Sequence, residues 1–140
     1  KPSPRLRYGK VGLLTPNRSE ALQMAGFPHR ESDPFDGEKV GAAIDRRYRP
    51  HLLAITMGRD GIVLFRDGVF LGTFPTLSRD VFDVSGAGDT VVAALTMALC
   101  TDHSLDLSVH FANLCAGIVV GKRGTATVHP EEVRVEAEKG

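Results

Sequence analysis

Short apolar runs alternate along this chain with stretches in which apolar positions recur at helical spacing. The runs at residues 11–15 and 52–56 lie between polar or turn-forming residues, which is the pattern of a buried strand. Residues 38–48 instead carry apolar side chains at every third or fourth position, with charges on the other side, which predicts an amphipathic helix. We therefore expect strands and helices to alternate, as they do in α/β domains.

A hairpin is predicted in the middle of the chain. Residues 62–65 and 69–74 are apolar runs that flank Asp67-Gly68, and an Asp-Gly pair in that position is a strong hairpin signal. A further strand is expected at residues 80–83. Near the start of the chain, Asn17 or Ser19 is placed to cap a helix that continues to about Ala25.

The second half of the chain is predicted to be mostly helical. Residues 89–100 are apolar on nearly all sides, which is typical of a helix buried in an interior. Residues 105–121 form a second long helix with an apolar stripe of Leu107, Phe111, Leu114 and Ile118. A short extended piece at 125–128 and a helical turn from Pro130 follow. The predicted fold class is α/β, a three-layer sandwich with a mostly parallel sheet and an antiparallel hairpin.

Composition excludes several classes of protein. The 17 basic residues balance 17 acidic ones, which removes the electrostatic signature of a protein that binds nucleic acid or an anionic membrane. No apolar run reaches the ~18 residues of a membrane span, and the start of the chain lacks the apolar core of a secretory signal. We expect a cytoplasmic protein, in which Cys100 and Cys115 are reduced core residues. The five histidines show no ligand spacing, so no structural metal is expected.

The most specific chemical feature is the glycine turn Asp83-Val84-Ser85-Gly86-Ala87-Gly88-Asp89, which opens the first long helix. Its glycines let a ligand approach the backbone, and the helix offers unpaired N–H groups and the positive end of its dipole. A phosphate fits such a site, and Asp89 would then be placed to take a proton from a hydroxyl beside it. The alternative is that Asp89 only supports the start of the helix.

Two other turns directly follow predicted strands. Thr56, Gly58 and Gly61 belong to a turn that would also serve as an ordinary hairpin connection. The first strand is followed by Asn17, Arg18, Ser19 and Glu20. This segment would equally form a capping box, in which Asn17 or Ser19 pairs with Glu20 at the start of a helix. Turns at the carboxyl ends of strands in an open α/β sheet lie along one edge, so the three turns are predicted to converge on one ligand.

In order along the chain, these residues resemble the PfkB or ribokinase-like carbohydrate kinases, whose D-x-x-G-A-G-D signature matches Asp83 to Asp89. Within the family, the segments at 13–20, 111–113 and 116–128 are most similar to heptose-7-phosphate kinases of lipopolysaccharide-precursor synthesis. The likeness runs from near Lys1 to about Val133 and implies a single partial domain at 1–140, the ATP-binding half of a sugar kinase.

The resemblance implies a role for each matching residue. Asp89 corresponds to the catalytic base, and Gly86, Ala87 and Gly88 correspond to an anion hole for the transferred phosphoryl group. The resemblance places four further residues near the ATP phosphates and Mg²⁺, namely Asn17, Arg18, Ser19 and Glu20, with Glu20 acting through water. Residues that would face the nucleotide are Thr56, Gly58 and Gly61, and those at the adenine are Asn113 and Gly117. A monovalent cation such as K⁺ would lie at Asp83 and Ser85.

The implied reaction is phosphoryl transfer from ATP to a sugar phosphate, most closely D-glycero-beta-D-manno-heptose 7-phosphate giving the 1,7-bisphosphate. Ribose, fructose 6-phosphate or a nucleoside are alternative acceptors, because the likeness does not include the first half of the family's kinase domain, which supplies most of the groups that bind the sugar. A nucleotide-binding fragment without activity of its own is the second hypothesis. The full-length protein is expected to be a homodimer. A dinucleotide-binding oxidoreductase and a P-loop enzyme lack support, because neither of their glycine motifs occurs.

Overall fold

The computed structural model describes residues 11–28, 34–76 and 84–139. Its strands are β1 (Leu13–Leu14), β2 (Leu52–Thr56), β3 (Ile62–Arg66) and β4 (Val69–Phe74). Its α-helices are α1 (Arg18–Ala25), α2 (Gly37–Tyr48), α3 (Ala87–Leu99), α4 (Leu105–Val120) and α5 (Pro130–Ala137). A 3-10 helix covers Gly58–Asp60. The chain divides into two compact units. The first contains the chain up to Met57 together with Ile62–Thr73, and the second contains Gly58–Gly61 and the chain from Phe74 onward.

A four-stranded sheet in the order β1-β2-β3-β4 forms the centre of the first unit. β1 runs parallel to β2, and β2 runs antiparallel to β3, with Ala54 opposite Leu64. The predicted hairpin is confirmed, since β3 and β4 join at Asp67-Gly68, both with positive φ, as a tight hairpin turn requires. The expectation of a mostly parallel sheet is wrong for the described strands, which form a mixed sheet. The strand predicted at 80–83 lies outside the described residues.

Helices α1 and α2 cover one face of this sheet. Their buried side chains meet alternate residues of β2 and β3, because successive side chains of a strand point to opposite faces. This core consists of Ala21, Met24, Val40, Ile44, Tyr48, Leu53, Ile55, Val63 and Phe65. The residues between them, including Leu52, Ala54 and Leu64, are also buried. Burial on both faces explains why these strands are continuous apolar runs in the sequence.

The second unit is helical, with α3 and α5 both packed against α4. The prediction that α3 is buried on all sides is wrong. Only the side that carries Val91, Ala94, Leu95 and Ala98 is buried, whereas Val92, Met97 and Leu99 are exposed. Cys100, which follows the helix, is exposed as well, so the expectation that both cysteines are core residues holds only for Cys115.

The buried side of α4 also differs from the predicted stripe. Leu107 is 53% exposed, and Phe111 and Ile118 are only partly buried. The helix instead buries Ser108, Val109, Ala112, Asn113, Leu114, Cys115, Val119 and Val120. Residues 125–128, expected to be extended, form no strand. Among the described helices, none is long and apolar enough to cross a membrane.

Candidate functional site

The N-terminus of α3 is open in a way that the starts of α1, α2 and α4 are not. Those three helices begin with side-chain caps from Asn17, Asp36 and Ser104. Helix α3 begins at Gly86, which has φ 82° and ψ −5° and, as a glycine, carries no side chain that could cap the helix. A left-handed backbone of this kind favours glycine, so the sequence motif and the backbone agree.

Hydrogen bonds from Ala87 and Thr90 close the turn around Gly86. The N–H of Ala87 donates to the carbonyl of Val84 at 3.3 Å. The backbone N–H and the hydroxyl of Thr90 both donate to the carbonyl of Gly86 at 2.9 Å. The N–H groups of the first helical turn have no carbonyl within the helix to pair with, which makes this end of α3 suited to an anion. Sequence analysis missed Thr90, whose position four residues after Gly86 was the available signal.

Gly88 is a glycine that the described fold does not require. A Cβ atom added there would have no neighbour within 4 Å. Glycine is a poorer helix former than alanine, by up to about 1 kcal/mol in a helix interior, so the chain gives up some stability at this point without a packing reason. A ligand that must come close to the backbone would supply one.

Asp89 lies one residue further, in the first turn of α3, and its side chain is exposed. It forms no hydrogen bond or ion pair with the rest of the described chain. The carboxylate is therefore accessible to a hydroxyl group brought to the end of the helix, which is the first requirement for a general base. Its position also stabilises the helix dipole, so both predicted roles are compatible with the geometry.

Asn113 and Gly61 meet at the end of β4. The side-chain amide of Asn113 donates to the carbonyls of Phe74 at 3.0 Å and Pro75 at 3.3 Å. A Cβ atom on Gly61 would lie 1.9 Å from the carbonyl oxygen of Phe74, so no other residue fits at that point. Packing thus explains both residue types, while their contact with a nucleotide stays a prediction. Gly58 is exposed beside this cluster, and Gly117 is partly buried within α4.

Asn17 and Glu20 form the capping box that was the alternative to a binding role. The N–H of Glu20 donates to Asn17 Oδ1 at 2.9 Å, and the N–H of Asn17 donates to Glu20 Oε2 at 3.0 Å. Asn17 also forms a β-bridge with Thr56, so the residues that follow β1 lie beside the end of β2 in the first unit. Arg18 lies with its guanidinium 5.5 Å from the ring centre of Phe35, and Ser19 is exposed.

The predicted site residues fall into both units. The first unit contains Asn17, Arg18, Ser19, Glu20 and Thr56. The second unit contains the rest of the described ones: Gly58, Gly61, Ser85, Gly86, Ala87, Gly88, Asp89, Asn113 and Gly117. Asp83 lies outside the described residues. Convergence of all three turns on one ligand therefore stays a prediction. Within the described residues, no three histidine, cysteine or acidic side chains form a group that could hold a metal ion.

Comparison with protein families gives a match over residues 3–132 to the pfkB family of carbohydrate kinases. Among curated proteins, the bifunctional protein HldE of Sulfurimonas denitrificans is 39% identical over 130 residues, which is 91% of this chain and 26% of that protein. The bifunctional protein HldE of Cronobacter sakazakii is 41% identical over 139 residues, covering 96% of this chain and 28% of that protein. The chain thus spans about a quarter of the length of these relatives.

Solved structures agree in fold. The ribokinase of Thermotoga maritima superposes with a TM-score of 0.75 at 22% identity, covering 91% of this chain and 42% of that one. Phosphofructokinase-2 of Escherichia coli, solved in complex with potassium, superposes with a TM-score of 0.77 at 20% identity, covering 93% of this chain and 41% of that one. At these identities the likeness establishes the α/β fold shared with ribokinases.

Proposed function

Since the chain belongs to the pfkB family of carbohydrate kinases, we propose that it supplies the catalytic base and the phosphate site of an ATP-dependent sugar kinase. The observation that carries the proposal is the start of α3. There a helix that starts at a glycine, an unobstructed Gly88 and an exposed Asp89 lie within one helical turn. These are the groups that phosphoryl transfer needs from a protein: donors for the developing charge and a base for the attacking hydroxyl.

In the proposed reaction, the sugar hydroxyl attacks the terminal phosphorus of ATP, and the Asp89 carboxylate takes the hydroxyl proton. A new bond forms between the sugar oxygen and phosphorus while the bond from phosphorus to the ADP oxygen breaks. Backbone amides of Gly86, Ala87 and Gly88 meet the charge that builds on the transferred group. Positioning and charge stabilisation supply most of the catalysis in this class of reaction.

The residues of α1 fit an indirect role toward Mg²⁺, which when bound neutralises charge on the ATP phosphates. The Glu20 carboxylate already accepts the N–H of Asn17 through Oε2. Contact with the ion through water suits a carboxylate held in this way, because Mg²⁺ keeps much of its hydration shell. Arg18 and Ser19 are proposed to lie near the phosphates. A K⁺ site would involve Ser85 and Asp83.

For the acceptor, we propose D-glycero-beta-D-manno-heptose 7-phosphate, converted to the 1,7-bisphosphate. Support comes from the heptose-kinase likeness of the sequence and from relatives named bifunctional protein HldE at 39–41% identity. Ribose, fructose 6-phosphate and nucleosides are the competing acceptors within the family. A panel of these compounds, assayed with the full-length protein and ATP-Mg, identifies the substrate by its kcat/KM.

The decisive test of the site is Asp89→Asn in the full-length protein. Loss of a general base lowers kcat by roughly 10²–10⁴-fold, and we expect a fall within that range. Asp106→Asn is the matched control, because Asp106 is also an exposed acidic residue in the first turn of a helix, α4. That control should keep nearly full activity. Near-normal phosphate transfer by Asp89→Asn would refute the assignment of the base.

A second function is favoured for the 140 residues alone, because they span only about a quarter of the curated relatives. In this case they bind ATP-Mg without transferring phosphate. Calorimetry on the isolated chain, with its folding checked by circular dichroism, distinguishes the possibilities. Binding without turnover supports this second function, whereas no heat of binding at millimolar ATP-Mg would leave only a structural role for the isolated chain.

A further inference from the structure

A lysine just beyond α4 joins three segments of the second unit. The backbone N–H of Lys122 donates to the carbonyl of Val119, in the last turn of α4, at 3.0 Å. The Lys122 ammonium lies 2.7 Å from both carboxylate oxygens of Glu132, in the first turn of α5. It also donates to the carbonyl of Thr127 at 2.7 Å, in the loop between these helices. One side chain thereby connects the end of α4, the loop and the start of α5.

The partners of this ammonium are held in place themselves. Glu132 Oε2 accepts the backbone N–H of His129 at 2.9 Å, which fixes the carboxylate at the start of α5. The two side chains are only 30% and 35% exposed, whereas the neighbouring Lys139–Glu136 pair is 63% and 43% exposed. Hydrogen bonds between charged groups are stronger than neutral ones, and partial shielding from water reduces their screening.

The loop that Lys122 secures lies against the phosphate site. Thr125 Cγ2 lies 3.5 Å from the point where a Cβ atom of residue 86 would stand, so the methyl group faces the open side of Gly86. Gly86 is the residue that starts α3, and glycine resists changes in its backbone angles less than any other residue. The methyl group of Thr125 therefore limits the space on this side of the most easily deformed residue of the turn.

We propose that Lys122 is a positioning residue of the phosphate site: it fixes the loop at 121–129, which places the Thr125 methyl group beside Gly86 and so limits the directions that the first N–H groups of α3 can take. The inference rests on the proposed function, since precise direction matters most where these groups meet the transferred phosphoryl group. Hydrogen-bond donors stabilise a transition state only when they already point at it. A displacement of these donors by about 1 Å removes much of the stabilisation.

The test is Lys122→Met in the full-length protein, which keeps the length of the side chain and removes its donors and charge. We expect kcat to fall by ~10-fold while the KM for ATP changes by less than ~3-fold, because the aim of the donors counts mainly in the transition state. Lys122→Arg, which keeps charge and donors, should recover most of kcat. Lys139→Met is the matched control, since it breaks a more exposed ion pair, between Lys139 beyond the end of α5 and Glu136, and should leave kcat unchanged.

A second variant tests whether the effect passes through the loop. Thr125→Ser removes only Cγ2 and keeps the hydroxyl group. If both residues act through the same contact, the double variant is no slower than Lys122→Met alone, whereas multiplied losses would overturn the inference. An unchanged kcat in folded Lys122→Met would overturn it as well. A wild-type protein that transfers no phosphate to any sugar would instead refute the proposed function itself.

Discussion

Two glycines of the candidate site show different physical reasons for the same residue type. Gly61 has no room for a side chain, since a Cβ atom would lie 1.9 Å from the Phe74 carbonyl oxygen. Gly88 has open space around it. Glycine lowers the stability of α3 relative to alanine, and no close packing in the described chain requires a glycine there. The sequence presents both simply as glycines in turns after strands. Substitution by alanine should therefore separate a glycine kept for packing from one kept for a ligand.

For Gly88→Ala we expect a fold that is as stable as the wild type or more stable by up to ~1 kcal/mol, because alanine is the better helix former. Phosphate transfer should fall by roughly 10²-fold, since the methyl group displaces the phosphate from the backbone donors. Urea unfolding measures the first effect, and steady-state kinetics of the full-length protein measure the second. Unchanged kinetics would mean that no ligand approaches the backbone at this residue.

At the level of elements, the helix starts divide the chain into supported and open ends. Side chains cap α1, α2 and α4, and α5 is held by Glu132, whose carboxylate accepts the N–H of His129. Helix α3 instead starts at Gly86, which has no side chain to act as a cap. A glycine at this position stabilises a helix less than a capping side chain does, by a few tenths of a kcal/mol, and an anionic ligand would compensate for the difference.

The start of α5 predicts a dependence of stability on pH. The hydrogen bond from Lys122, followed by that from the His129 backbone, holds the pKa of Glu132 below its ordinary range. A carboxyl group with a lowered folded-state pKa stabilises the fold above its unfolded-state pKa of about 4.3, and that contribution is lost as the pH falls through the folded-state pKa.

Stability measured by urea unfolding should therefore fall more steeply below about pH 4.3 in the wild type than in Glu132→Gln, which cannot ionise. Glu136→Gln, on the exposed face of the same helix, provides the control and should follow the wild type. Parallel curves for Glu132→Gln and the wild type would show that this carboxylate contributes nothing to the acid sensitivity.

On the scale of the whole molecule, apolar surface remains exposed in both units. Val69 and Leu71 on the edge strand β4 are 61% and 44% exposed, and Met97 on α3 is 59% exposed. The unpaired edge of a strand with exposed apolar side chains is prone to pair with other chains. The chain spans about a quarter of the length of its curated relatives.

The isolated chain should accordingly associate as its concentration rises, and Leu71→Lys should weaken that association by placing a charge on the β4 edge. Thr73→Lys is the matched control, because it adds the same charge to the same exposed face of β4 without removing an apolar side chain. Sedimentation velocity over a range of concentrations measures the effect. If both variants reduce association equally, general charge repulsion is the cause and the apolar edge is not.

Local structure followed from the sequence alone because its causes are local. Strand β2 lies at the predicted residues, the Asp67-Gly68 hairpin formed, and Asn17 and Glu20 closed the expected capping box. Each depends on backbone angles and hydrogen bonds within a few residues. The seven-residue glycine motif likewise identified the family, because it packs several special requirements into a short stretch.

The tertiary structure decided which sides of the elements are buried and which polar groups are in use. The apolar sides of α3 and the Leu107 stripe of α4 were predicted to be internal, but burial depends on the elements that pack against a helix and not on its own composition. Asn113 reaches a carbonyl 39 residues away, and Lys122 reaches a carboxylate 10 residues away. No local pattern predicts such pairs, since the fold brings their partners together. The sequence thus determined the elements and the chemical motif, while only packing between elements determined what surrounds that motif.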